Sequence, residues 1–103
     1  MADRIQQLRS LLDSDPTDTF CLYSLAMEYD KQGERDQALA YFDRTIDIEP
    51  SYAYAYFHKA RVQAEGGDAG SARSTLAEGL RHAKETGDVQ AESEISGFLD
   101  ELG

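Results

Sequence analysis

The sequence predicts an all-α fold of about six helices, because similar residues recur at a fixed step, apolar residues recur at helical spacing, and glycine or proline marks each break. The only two prolines, Pro16 and Pro50, stand 34 residues apart. The same step relates Leu8 to Phe42 to Leu76, and Leu12 to Ile46 to Leu80. It also relates Thr17 to Ser51, Ala26 to Ala60, Gly33 to Gly67, Glu34 to Asp68 and Ala38 to Ala72.

Each element follows from local signals. Ile5, Leu8, Leu11 and Leu12 make one apolar stripe and predict a helix over residues 2–13. Pro16 ends it, and Thr17 is expected to accept a hydrogen bond from the unpaired amides of a second helix over 18–32. Leu22, Leu25, Ala26 and Tyr29 are its stripe, and Gly33 closes it in the left-handed conformation. Ala38, Phe42, Thr45 and Ile46 predict a third helix over 35–48. Ser51 repeats the place of Thr17, ahead of a fourth helix over 52–65. There Tyr52-Ala-Tyr-Ala-Tyr56 alternates with period two, a local strand signal. Ala53, Tyr56, Phe57, Ala60 and Ala64 also make a helical stripe, and the long-range step favours the helix. Gly66, Gly67 and Gly70 read as turn glycines before a fifth helix over 70–85, whose stripe is Ala72, Leu76, Leu80 and Ala83. Asp88, after Gly87, caps a sixth over 88–102, with Ala91, Ile95, Phe98, Leu99 and Leu102 inward.

These residues resemble the tetratricopeptide repeat, a 34-residue helix–turn–helix unit with the pattern W-x2-L-G-x2-Y, then Ala, Phe and Pro. Leu22, Leu25, Ala26, Tyr29, Ala38, Phe42 and Pro50 fill these places in one repeat. Tyr56, Ala60, Gly67, Ala72 and Leu76 fill the corresponding places in a second. Lys59 and Gln63 replace the expected leucine and tyrosine there, and Lys84 the closing proline, so looser packing is expected in that repeat. The resemblance implies one domain over residues 1–103: a half-repeat helix at 2–16, repeats at 17–50 and 51–84, and a capping helix at 88–102. It implies a short right-handed solenoid of antiparallel helix pairs.

Composition limits the function. Twenty acidic against ten basic residues give a formal charge of −10, which repels nucleic acid and anionic membrane surfaces. The longest apolar run, Tyr52 to Phe57, is far shorter than the roughly 20 residues of a membrane span. Asp3, Arg4 and Arg9 interrupt the start of the chain, so no signal peptide is read and a cytoplasmic location is expected. Residues 85–103 hold six acids and no Lys or Arg, and read as a solvated acidic surface.

No catalytic, metal or cofactor site is expected. His58 and His82 lie on different helices without a nearby Cys or second His, and Cys21 is the only cysteine. Asp13, Asp15 and Asp18 hint at a calcium loop, but Ser24 stands where the closing glutamate is required. The glycines at 66, 67 and 70 lack the Lys-Ser/Thr pair of a phosphate loop.

In tetratricopeptide proteins the first helix of each repeat lines a concave groove. The resemblance nominates Phe20, Tyr23 and Met27 on one such helix, and Tyr54, Phe57, His58 and Arg61 on the other. Nine of the ten aromatic residues lie between Phe20 and Phe57, more than the core stripes there require. The expected function is non-catalytic: binding a peptide or protein segment in the groove. The alternatives are a self-associating scaffold using the same surface, and an accessory subunit of an enzyme complex. The chaperone-tail clamp of lysines and asparagines is not expected, since the chain contains no asparagine.

Overall fold

Aspartates set three of the helix starts. A carboxylate just ahead of a helix can accept from an amide of the first turn, one of the four that no helical carbonyl reaches. Asp18, Asp68 and Asp88 accept in this way from the backbone N–H of Cys21, Ser71 and Ala91 at 3.1, 3.0 and 3.1 Å. In this computed structural model, which describes residues 3–103, the helices are α1 (Asp3–Ser14), α2 (Thr19–Lys31), α3 (Arg35–Ile48), α4 (Ala53–Glu65), α5 (Ala69–Thr86) and α6 (Val89–Leu102). No strand occurs among the described residues. The expected helix start at Ala2 lies outside them.

The chain divides into two compact units, Met1–Glu49 with α1 to α3 and Pro50–Gly103 with α4 to α6. In the first, Leu8, Leu12, Leu22, Leu25, Ala26, Ala38 and Phe42 are buried. The Cys21 thiol, buried as well, donates to the Leu8 carbonyl at 3.0 Å and so links α2 to α1. In the second, Ala60, Ala72, Leu76, Ala83, Ala91 and Ile95 form one buried cluster, with Phe57, Leu80, Phe98 and Leu99 half-buried against it. Gly33, Gly67 and Gly87 take φ of 76°, 88° and 73°, the left-handed conformation that closes a helix without a Cβ penalty.

Several expectations are corrected. Thr17 is not a cap: its N–H and hydroxyl both donate to Asp15 Oδ1, at 3.2 and 2.9 Å, which leaves Asp18 to cap α2. Ser51 is not the cap residue either, since Tyr52 takes that place ahead of α4 and its side chain makes no cap hydrogen bond. Gly70 lies inside α5 and not in the turn, and Leu11 points outward, 59 % exposed. Tyr52-Ala-Tyr-Ala-Tyr56 is helical from Ala53 onward.

The second repeat is not loosely packed. Gln63 Oε1, in the tyrosine place, accepts from the Thr75 hydroxyl at 2.8 Å and joins α4 to α5. Tyr56 is held at both ends. Its hydroxyl donates to the Pro50 carbonyl at 2.7 Å, and its Cβ lies where α5 passes so closely that a side chain at Gly79 would sit 2.6 Å away.

Candidate functional site

The nominated residues of α2 belong to the first unit. Phe20 is 65 % exposed, whereas Tyr23 and Met27 are half-buried. Tyr23 presents its ring edge to Phe42 with centroids 6.0 Å apart, so it packs on the core through one side.

The nominated residues of α4 are all half-buried. Phe57 meets two rings, edge-on to His58 at 5.2 Å and tilted against Phe98 of α6 at 5.3 Å. Arg61, one turn on, donates Nε–H to His58 Nδ1 at 3.4 Å and reaches both Glu65 carboxylate oxygens at 3.3 Å. Helical spacing i, i+3, i+4 explains this row, because residues three and four apart share a face.

Phe57, Arg61, Ala64 and Glu65 of α4, with Phe98 and Glu101 of α6, line a surface pocket of about 430 Å³. Its floor is the two phenylalanines and Ala64; its rim is charged. The structure therefore brings Phe57 and Arg61 to one pocket, with the His58 ring set edge-on to Phe57. Tyr54 is not among the lining residues. Phe98, Ala64, Glu65 and Glu101 were not nominated. A signal for the α6 contribution stands in the sequence: Glu94, Phe98 and Glu101, at i, i+4 and i+7, place carboxylates on the same face as the ring.

A second pocket, of about 480 Å³, lies in the first unit between Arg9, Leu12, Asp13, Pro16, Tyr41 and Arg44. Tyr41 organises it. Its ring stacks on Tyr29 at 5.5 Å and carries the Arg44 guanidinium 5.1 Å from its centre. The hydrogen bond that Arg9 makes to Tyr41 is the main cause holding the Arg9 guanidinium above its ordinary pKa.

Burial pushes the Cys21 thiol up, which disfavours the thiolate a nucleophile needs. Burial is also the main cause raising the Tyr56 phenol, with Glu78 adding to it. No three His, Cys, Asp or Glu side chains among the described residues are placed to hold a metal ion. No described helix is long and apolar enough to cross a membrane.

Residues 29–91 match the tetratricopeptide repeat pattern, which is more than half of the chain. The chain belongs to the tetratricopeptide repeat family. A TPR repeat-containing protein of Pseudomonas aeruginosa is 26 % identical over 98 residues, covering 95 % of this chain and 93 % of the relative. The solution structure of a tetratricopeptide repeat domain protein from Salinibacter ruber superposes with a TM-score of 0.80 at 30 % identity, covering 85 % of this chain and 89 % of that one. The type III secretion chaperone SycD of Yersinia enterocolitica, in complex with a peptide of the translocator YopD, superposes with a TM-score of 0.86 at 18 % identity. That match covers 97 % of this chain and 77 % of the chaperone, and shows a common fold.

Proposed function

We propose that this tetratricopeptide repeat chain is a non-catalytic protein-interaction module, with residues 1–103 working as one domain that holds a peptide or protein segment. The observation that carries the proposal is the α4–α6 pocket, where two aromatic rings and a methyl group form an apolar floor beside an ordered arginine. Such a recess removes an inserted apolar side chain from water, at roughly 25 cal/mol per Å² of area buried. The Arg61 guanidinium adds a charge-assisted donor for a partner carbonyl or carboxylate. Tyr54 and His58 of the second unit, and separately Phe20, Tyr23 and Met27 of the first, are proposed to contact the partner as well. Tyrosine and phenylalanine cover much area at small entropic cost. The family's fold is found with a bound translocator peptide in SycD, which supports the same mode of use here.

Affinity capture from source cells, followed by mass-spectrometric identification, tests this with matched variants. Phe57→Ala, Tyr23→Ala and Tyr54→Ala should each weaken retention of the captured protein, by about thirty-fold where the residue is a hot spot worth at least about 2 kcal/mol. Circular dichroism checks that the fold is intact. Undiminished capture by all three folded variants would remove the proposed surface. A sedimentation series over protein concentration addresses the scaffold reading, which requires self-association sensitive to the same substitutions.

A further inference from the structure

The pocket's surroundings select among segments. Arg61 is the one cation lining it among the described residues, and its guanidinium lies 3.3 Å from the Glu65 carboxylate, which largely neutralises both. Glu101 lines the pocket one turn beyond Phe98, and Glu94 stands one turn before it on the same helix face. Both carboxylates are exposed, and neither is paired with a basic side chain among the described residues. No Lys or Arg occurs anywhere in residues 85–103 to offset them.

Resting on the function proposed above, we infer that the segment this pocket takes carries a bulky apolar side chain with Lys or Arg on both sides of it. The apolar group packs against the touching rings of Phe57 and Phe98. The flanking cations meet Glu94 and Glu101. Glu101 stands seven helical steps after Glu94, a rise of about 10 Å. About three residues of extended chain span that distance. The matching segment therefore has its basic residues about three positions apart, with the apolar residue between them. A neutral segment gains the apolar contact and the Arg61 donor without the two ion pairs, and an acidic one meets repulsion at both ends. The net charge of −10 acts in the same direction at longer range, raising the encounter rate with basic segments and lowering it with acidic ones.

Fluorescence polarisation with three synthetic peptides of equal length tests the inference. They are alike except that a central phenylalanine is flanked by lysines, by glutamines or by glutamates. At low salt the lysine form should bind about three- to tenfold more tightly than the glutamine form, as expected for two exposed ion pairs, and the glutamate form most weakly. Added salt should narrow the differences. Glu94→Gln with Glu101→Gln, both exposed and not expected to disturb the fold, should remove the lysine preference. Phe98→Ala should remove binding itself. Equal binding of the three peptides, still lost in Phe98→Ala, would overturn the charge assignment and leave the proposed function standing. A lysine preference that survives the double glutamine variant would place the cations elsewhere and overturn it too. Failure of all three peptides, while Phe57→Ala still abolishes capture of the cellular partner, would sink this inference alone.

Discussion

At the scale of single residues, the two repeats solve one packing problem with different pairs. Tyr56 stands one 34-residue step after Leu22, and Gly79 one step after Thr45, both of which are fully buried. Where the second repeat has the larger aromatic on its first helix, it has no side chain at Gly79 on the facing helix. A Cβ there would lie 2.6 Å from Tyr56 Cβ and 2.9 Å from its Cγ, contacts that real Cβ atoms do not make. These atoms cannot swing aside, because the Tyr56 hydroxyl is bonded to the Pro50 carbonyl and the ring stacks on His82 at 5.6 Å. Gly79→Ala should therefore destabilise the protein by about 1 to 3 kcal/mol, although alanine is the better helix former. In a Tyr56→Leu background the same substitution should cost much less. Urea unfolding of the four proteins in this cycle measures the coupling. Additive losses would mean that α5 is free to shift away from Tyr56. This close approach was not legible in the sequence, where Gly79 is one more glycine; only the partner across the helix interface gives it meaning.

At the scale of elements, the repeat step carried the prediction further than local propensity. It turned the alternating tyrosines before Phe57 into a helix and put α2 to α6, and the end of α1, within two residues of their observed ends. The caps were less legible, because Thr17 and Asp18 are both good cap residues and the choice depended on Asp15, whose carboxylate takes up Thr17. The candidate site was legible in part for a similar reason. Phe57 and Arg61 were nominated from their places on a repeat's first helix, whereas Phe98 looked like core on its own stripe and faces the pocket only because α6 packs beside α4. Asp68 offers a test at this scale. Its hydrogen bonds to Ser71 hold its carboxyl below the usual carboxylate range. A pKa lowered on folding means that the unfolded chain takes up the proton more readily, so the cap's contribution is complete above the unfolded value and is lost as pH falls through the lower folded one. The melting temperature of Asp68→Ala should thus lie below the parent's at neutral pH, and the gap should close in acid below the usual carboxylate range. A gap that stays constant into strong acid would show that the loss came from backbone or packing changes and not from the cap.

At the scale of the whole molecule, charge is the term that no single contact reveals. Twenty acids face ten bases, and the ion pairs among the described residues include local ones, such as Glu28 with Lys31, Arg61 with Glu65 and Arg81 with Glu78 and Glu85. Each is exposed on at least one side and spans one helical turn, a class worth about 0.3 to 0.5 kcal/mol. The excess acids repel one another, and folding brings them closer than they are in the unfolded chain. Salt weakens both effects, but they differ in sign: screening the few pairs lowers stability, and screening the many repulsions raises it. With a net charge of −10 the repulsions outnumber the attractions, so stability should rise with salt. Thermal melting from about 0.1 M to about 1 M NaCl, over which the screening length falls from about 10 Å to about 3 Å, checks the sign. Charge and other salt effects separate through a variant set. Replacing Glu92, Glu94 and Glu101 with glutamine removes three charges of the stretch that has no bases, and should flatten the salt dependence while raising the melting temperature at low salt. A parent protein whose melting temperature is flat or falls over this range, or a triple variant with the parent's slope, would show that the acidic surface is too well solvated to strain the fold.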